Sequence, residues 1–204
     1  MRKAEQKQTA DLLEWEKQFH SLLPTLRIER ADITKLRVDA IVNPADGRIR
    51  GEGGGLDVSL HKAGGPAVFN DCLSRFPNGM LTGDAGWTTA GALKAKWLIH
   101  TVGPKYHSNS PLATTVDRQI LASCYRRSLQ VADSLGAQSI AFPLISAGRL
   151  GWPTRDAIRV ALETIDQTPH LVKEVKLVAS NRNIYDQMLG AFEELFAGEY
   201  RIVA

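Results

Sequence analysis

Cysteine is scarce in this chain, and no residue spacing typical of a metal site is present. Among its 204 residues there are two cysteines, Cys72 and Cys124, both within helical patterns. We expect two buried, reduced thiols, as in a cytosolic protein. No histidine cluster indicates zinc, and no combination of serine, histidine and aspartate suggests a hydrolytic triad. The predicted protein therefore holds no metal and no cofactor.

Long apolar runs and blocks of like charge are also missing. No stretch approaches the roughly 20 apolar residues of a membrane-spanning helix, and residues 1–10 are polar, unlike a signal peptide. The formal net charge is +3, with Lys and Arg interspersed among Asp and Glu. No cluster of Lys and Arg forms an electrostatic footprint for nucleic acid, but the mildly basic charge leaves such binding open. We expect a cytoplasmic monomer without membrane contact.

The sequence does not match the residue spacing of two common phosphate-binding motifs. The chain has no G-x-x-x-x-G-K-[ST] sequence, the loop that holds nucleoside triphosphates. Residues 51–56 begin like G-x-G-x-x-G, but Leu56 stands where the third glycine belongs. An acidic residue at a strand end roughly 20 residues further on is also missing. Hydride chemistry with NAD is therefore unsupported.

Alternating strand and helix patterns predict a layered α/β domain. Apolar runs predict strands, with an edge strand at 26–30, where apolar and charged residues alternate. Residues 105–113 are interpreted as a polar loop, and Pro153 as the first residue of a helix. The predicted strands are 26–30, 38–43, 86–89, 97–102, 139–145, 172–179 and 200–203, and the predicted helices are 4–23, 56–63, 66–76, 115–135, 154–167 and 184–196. This order is typical of a buried, largely parallel sheet.

Two glycine-rich loops follow buried strands, at residues 51–55 and 146–153. Free main-chain N–H groups before a helix, together with the helix dipole, form a site for an anion such as phosphate. Each loop alone could equally be a tight connection without a ligand. In parallel sheets, however, ligands bind beyond the carboxyl ends of the strands, where both loops lie. We therefore predict one phosphate site between them.

Six motifs in order resemble the macrodomain family, specifically its MacroD-type hydrolase branch. They are Asp32-Ile33-Thr34, VDAIVN at 38–43, GGGLD at 53–57, IHTVGP at 99–104, CYRRSL at 124–129 and SIAFPLISAG at 139–148. The resemblance covers about residues 26–197. It implies a three-layer α/β/α sandwich with a mixed, largely parallel central sheet at residues 25–204. Residues 1–24 are expected to form a helical extension packed on this domain.

The resemblance also implies an ADP-ribose pocket. Asp32 would accept a hydrogen bond from the adenine amino group, while the loops wrap the diphosphate and distal ribose. Asp57 is the candidate catalytic residue, positioning or activating water, and Asp46 is the second. From position alone, Asp57 could instead complement the helix dipole. The implied ligand-binding residues are Asp32, Ile33, Asn43, Ala45, Gly53, Gly54, Gly55, Leu56, Ser146, Ala147, Gly148, Arg149, Leu150 and Asn181.

The chain departs from the family pattern at Asp46, Leu150 and Ser180. Asp46 stands where asparagine is usual, and Leu150 replaces an aromatic residue. Ser180 occupies the place of the aromatic residue that stacks on adenine, so Asn181 or Arg182 could take over. Trp152 could form a replacement wall or anchor the following helix.

The predicted function is hydrolysis of ADP-ribosyl esters. The substrates would be mono-ADP-ribose on acidic side chains of proteins, O-acetyl-ADP-ribose, or both. The alternative is a non-catalytic reader of ADP-ribose or of ADP-ribosylated protein. ADP-ribosylated nucleic acid is a further candidate partner, which predicts strongly salt-dependent binding.

Overall fold

The computed structural model describes residues 24–196. The predicted helix at 4–23 and the predicted strand at 200–203 lie outside the described residues. Among the helices of residues 24–196, none combines the length and the hydropathy needed to cross a bilayer.

One six-stranded sheet forms the centre of the domain. Its strands are β1 (Thr25–Arg30), β2 (Ala40–Ala45), β3 (Ala85–Thr89), β4 (Trp97–Val102), β5 (Ser139–Pro143) and β6 (Glu174–Ala179). They lie in the order β1-β6-β5-β2-β4-β3. All neighbours pair in parallel except β3, which is antiparallel to β4. The mixed, largely parallel sheet is confirmed, as is the edge position of β1.

Within residues 24–196, four α-helices and one short 3-10 helix connect these strands, and a fifth α-helix follows β6. The helices are α1 (Leu56–Gly64), α2 (Pro66–Arg75), α3 (Pro111–Ser134), α4 (Thr154–Gln167) and α5 (Arg182–Phe196), and the 3-10 helix is Ile33–Lys35. Helices α3, α4 and α5 cover one sheet face, and α1 and α2 the other. The predicted α/β/α sandwich is confirmed.

The protein has two hydrophobic cores, one on each face of the sheet, because residues of the central strands alternate between the faces. Ala40 and Val42 of β2 point to the side of α3–α5, whereas Ile41 between them packs with Leu60 of α1 and Val68 of α2. Side chains alternate across a strand, so a strand buried on both faces must be apolar at consecutive positions. The run at 40–42 satisfies this requirement.

Two helix starts differ from the sequence prediction. The segment 105–113 was predicted as loop, but α3 begins at Pro111, where the fixed φ of proline suits a first helical turn. Thr115 Oγ1 donates to the Pro111 carbonyl at 2.9 Å within that turn. Conversely, Pro153 is the residue before α4, because its ψ of 127° is extended. Its carbonyl accepts the first helical hydrogen bond, from Ala157 N–H at 3.0 Å.

Both cysteines are buried and free of disulfides, as predicted. Burial raises the pKa of the Cys72 and Cys124 thiols to about 11. Both are therefore neutral and weakly nucleophilic near neutral pH.

Candidate functional site

A cavity of about 670 Å³ lies at the carboxyl ends of the parallel strands. Its walls come from the segments that follow β1, β2, β4, β5 and β6. Because these five strands run in the same direction, the segments after them meet at one edge of the sheet. A volume of this size accommodates a nucleotide-sized ligand.

The two glycine-rich loops face each other across this cavity. Residues 53–56 and 146–150 all line it. A Cβ atom added to Gly54 would lie 3.1 Å from Arg149 Nη1, so the loops nearly touch. Within residues 24–196, the main-chain N–H groups of 54–56 and 147–150 make no hydrogen bond. Two sets of free donors therefore converge on one space, as an anion site requires.

Ser146 carries unusual backbone geometry at the head of the second loop. Its φ is +64°, a value that residues other than glycine rarely adopt. Its carbonyl accepts from Trp152 N–H at 3.2 Å, which closes the loop. The buried Ser146 Oγ has no hydrogen-bond partner in the described part of the chain. Strained backbone and unpaired buried polar atoms concentrate at ligand sites.

Asp57 lies in the first turn of α1, directly behind the first loop. Its side chain is buried, with only 1% of the residue exposed. The carboxylate accepts from Gly53 N–H at 2.8 Å and from Asn43 Nδ2 at 2.6 Å. Gly53 lines the cavity, whereas Asp57 and Asn43 lie behind that lining. The carboxylate thus holds the loop in place and also complements the start of α1.

His61 packs beside this carboxylate, one helical turn further along α1. Its Nε2 is 3.6 Å from Asp57 Oδ1, too far for a hydrogen bond. Gly51 lies so close to the ring that an added Cβ would be 2.4 Å from His61 Cγ. Burial lowers the pKa of His61, although the charges of Asp57 and Asp46 oppose that shift. The neutral ring supports the glycine loop from below.

Asp46 lines the cavity and shapes the loop that follows β2. Its Oδ1 accepts from the N–H groups of Arg48 at 2.9 Å and Ile49 at 3.1 Å. These bonds hold Ile49, which is fully buried with a φ of +56°. A β-branched residue in this conformation is strained, and the Asp46 turn offsets that strain. The catalytic role expected of Asp46 stays a prediction.

Asp32 lies at the opposite end of the cavity lining, after the edge strand β1. Its Oδ1 accepts from Thr34 Oγ1 at 2.7 Å and Thr34 N–H at 3.0 Å, which caps the 3-10 helix. The hydrogen bond from the Thr34 hydroxyl is the main factor that lowers the Asp32 pKa. Asp32 and Ile33 both line the cavity, so turn capping and ligand contact are compatible.

A family model described as Macro domain matches residues 42–161 of the chain. The chain belongs to the Macro domain family. A macro domain-containing protein of Streptomyces nogalater is 45% identical over 169 residues, covering 80% of this chain and 90% of that protein. The structure of the Oceanobacillus iheyensis macrodomain with ADP superposes with a TM-score of 0.79 at 32% identity, covering 85% of this chain and 93% of that one.

An ADP-ribose glycohydrolase, MACROD2 of Homo sapiens, is also similar to this macrodomain. The two are 42% identical over 149 residues, which is 72% of this chain. The aligned part is 33% of the human protein. These relatives support the MacroD-type resemblance of the sequence.

Asn181 is not among the residues that line the macrodomain cavity, so its contact with the ligand stays a prediction. Its Oδ1 accepts from Ile184 N–H at 3.0 Å at the start of α5, because asparagine is a preferred helix cap. Arg182, the other candidate to stack on adenine, pairs with Asp186 at 2.8 Å. Ser180 and Ile184 form this part of the wall instead. Ile184 was not among the predicted ligand-binding residues, although its position in the first turn of the helix after β6 indicated a place in the cavity wall.

Trp152 anchors the second loop and does not form a wall of the cavity. It is 2% exposed, and its Nε1 donates to the Pro104 carbonyl at 3.1 Å. The ring also packs against Tyr106, with centroids 5.2 Å apart. The cavity lining contains further residues that were not among the predicted ligand-binding residues, namely Pro44, Val102, Gly103, Pro143, Leu144 and Val178.

His61, Cys72 and His100 come together behind the site, although nothing in their linear spacing indicated a cluster. Their ligand atoms could in principle surround a metal ion. However, His100 Nδ1 lies 3.1 Å from Asn43 Nδ2, and His100 Nε2 lies 2.9 Å from Thr88 Oγ1. Hydrogen bonds thus occupy both ring nitrogens, so His100 has no free lone pair for a metal. The three residues do not fit a metal site in this arrangement.

Proposed function

We propose that this macrodomain binds ADP-ribose and hydrolyses ADP-ribosyl esters. The substrates are mono-ADP-ribose on acidic side chains of proteins, O-acetyl-ADP-ribose, or both. The main support for this proposal is that two loops with free N–H groups line the same cavity. The Asp57 carboxylate lies directly behind one of them and accepts a hydrogen bond from Gly53 N–H.

The strand order supports a ligand of the length of adenosine diphosphate. Asp32 follows β1, whereas the loop at 146–150 follows β5, two strands further along the sheet, and the loop at 53–56 follows β2, three strands further. Three strand spacings of about 4.8 Å amount to roughly 14 Å, enough for an extended adenosine diphosphate. The adenine therefore lies near Asp32, and the diphosphate near the loops. The similar Oceanobacillus iheyensis macrodomain was solved with ADP, which supports an adenosine diphosphate group as part of the ligand.

The reaction is an ester hydrolysis in which Asp57 orients or deprotonates a water molecule. Water supplies a hydroxyl to one side of the ester C–O bond and a proton to the other, giving ADP-ribose and a carboxylic acid. Attack at the ribose carbon and attack at the acyl carbonyl give the same products. Reaction in ¹⁸O-labelled water distinguishes them, because the label enters the ribose in the first case and the acid in the second.

The test is incubation with a transferase that has modified its own acidic side chains. We expect release of ADP-ribose by the wild type and none by Asp57→Ala. Asp156→Ala is the matched control, since Asp156 also lies in the first turn of a helix, away from the cavity. Release that survives in Asp57→Ala removes Asp57 from its role.

The second candidate function is a reader that binds ADP-ribose without turnover. Two observations favour it. Asp57 is 1% exposed and lies behind Gly53, while Asp46 uses one carboxylate oxygen to hold its own loop. Calorimetric binding of ADP-ribose without any product after long incubation selects this function. A steep loss of affinity for an ADP-ribosylated oligonucleotide with added salt points to a nucleic-acid target.

A further inference from the structure

We infer that His100 and Thr88 are positioning residues for the Asp57 carboxylate, acting through Asn43. The four side chains form a buried relay, Thr88–His100–Asn43–Asp57, drawn from β3, β4, β2 and α1 in that order. This inference rests on the proposed hydrolytic function, in which the orientation of Asp57 determines the rate.

The relay is continuous and short at every step. Asn43 Nδ2 lies 2.6 Å from Asp57 Oδ1 and 3.1 Å from His100 Nδ1. His100 Nε2 lies 2.9 Å from Thr88 Oγ1. No member is more than 1% exposed. Water therefore does not compete for these bonds, and in such surroundings hydrogen bonds are strong and costly to leave unmade.

The chemistry of the end group determines the direction of every hydrogen bond. An ionised carboxylate only accepts, so Asn43 must direct its NH₂ group at Asp57. The second proton of that NH₂ group points to His100, whose Nδ1 must then accept. Consequently the ring proton is on Nε2, and this N–H donates a hydrogen bond to Thr88 Oγ1. The Thr88 hydroxyl in turn donates to the Thr89 carbonyl at 3.0 Å.

The opposite arrangements would place donor against donor or acceptor against acceptor. A proton on His100 Nδ1 would face the Asn43 NH₂ group, and a rotated Asn43 would turn its oxygen towards the carboxylate. His100 stays neutral because burial lowers its pKa to about 3. The ring thus keeps one tautomer near neutral pH, and its role is orientation of Asn43, not proton transfer.

The result is a carboxylate held on two sides. Asn43 bonds to Oδ1, and the Gly53 N–H bonds to Oδ2 at 2.8 Å. Loss of the Asn43 orientation would leave Asp57 held by the Gly53 N–H alone, which still ties the carboxylate to the loop but no longer fixes Oδ1. The relay therefore affects the rate of hydrolysis more than the affinity for ADP-ribose.

Thr88→Val tests this in the 204-residue chain, since it removes the hydroxyl with little change in volume. We expect kcat for ADP-ribose release to fall roughly 3- to 10-fold, from the loss of one buried hydrogen bond, with the Kd for ADP-ribose unchanged. Thr101→Val is the matched control: Thr101 is equally buried and neighbours His100, but its hydroxyl donates to the Asp84 carbonyl outside the relay. Thr88→Ser, which keeps the hydroxyl, is expected to rescue the rate.

The second readout is the ¹⁵N–¹H spectrum of the imidazole rings, which tells a proton on Nε2 from one on Nδ1. We expect His100 to show protonated Nε2 from pH 5.5 to 8, and to lose that single tautomer in Thr88→Val. Protonated Nδ1 in the wild type, or equal kcat in Thr88→Val and Thr101→Val, overturns the inference. Absence of ADP-ribose release by the wild type overturns the proposed hydrolysis instead, while the spectrum still tests the relay.

Discussion

The main-chain N–H of Gly53 donates a 2.8 Å hydrogen bond to Oδ2 of Asp57, so the cavity wall and the carboxylate behind it form one unit. The bond joins a loop residue to the first turn of the next helix. Any change in the loop backbone at Gly53 is therefore transmitted to the carboxylate.

Gly53→Ala is expected to lower hydrolysis more than it lowers binding. A Cβ atom at this position would lie 2.7 Å from Asp57 Oδ2, closer than real Cβ contacts. The carboxylate must move, and loss of a hydrogen bond to a charged group corresponds to roughly a 10- to 100-fold lower kcat. Steady-state release of ADP-ribose measures it. Gly190→Ala, which meets no atom within 4 Å, controls for the effect of glycine replacement itself; equal kcat in both variants contradicts the coupling.

Gly148→Glu is expected to abolish ADP-ribose binding without unfolding the protein. Gly148 lines the cavity, and an added Cβ meets no protein atom within 4 Å, so the larger side chain has room within the cavity. Its carboxylate would then occupy and repel the diphosphate position. Calorimetry should show at least a 100-fold weaker Kd, with an unchanged melting temperature. Normal binding by this variant would mean that the diphosphate lies elsewhere.

Arg149→Gln is expected to weaken ADP-ribose about 10-fold and to leave adenosine binding unchanged. Among the residues that line the cavity, Arg149 is the one cationic side chain, and its guanidinium lies beside Gly54. A charge-assisted hydrogen bond to phosphate is worth about 1.5–3 kcal/mol. Titrations with ADP-ribose and adenosine at two salt concentrations measure the difference. Equal weakening of both ligands would place Arg149 away from the phosphates.

The free energy of unfolding should fall when the pH drops below about 6.5. Burial lowers the pKa of His100 to about 3, so between these values the unfolded chain binds a proton that the folded chain does not. Stability from this group is complete above the unfolded pKa and decreases as the pH falls through that window. Urea titrations at pH 7.5 and 5.5 should differ by roughly 1 kcal/mol. His61 and His170, whose pKa values burial also lowers, add to the decrease; the variants His61→Gln and His170→Gln separate their contributions.

Short sequence patterns predicted much of the fold. The apolar runs at 38–43 and 139–145 predicted the central strands, and the break at Gly64-Gly65-Pro66 separated α1 from α2, where Gly65 has a φ of +75°. Such features depend on a few neighbouring residues. The start of α3 at Pro111 was missed, because a polar, proline-containing segment is compatible with both a loop and a first helical turn.

The sequence by itself determined the α/β class, the two glycine loops and the carboxylate beside one of them. These follow from periodicity and from residue types that allow particular backbone conformations. Only the tertiary structure decided that Trp152 anchors its loop, and that Thr88, His100 and Asn43 line up behind Asp57. Such contacts join segments distant in the chain. Those among Thr88, His100 and Asn43 form where parallel and antiparallel strand pairing brings β2, β3 and β4 side by side.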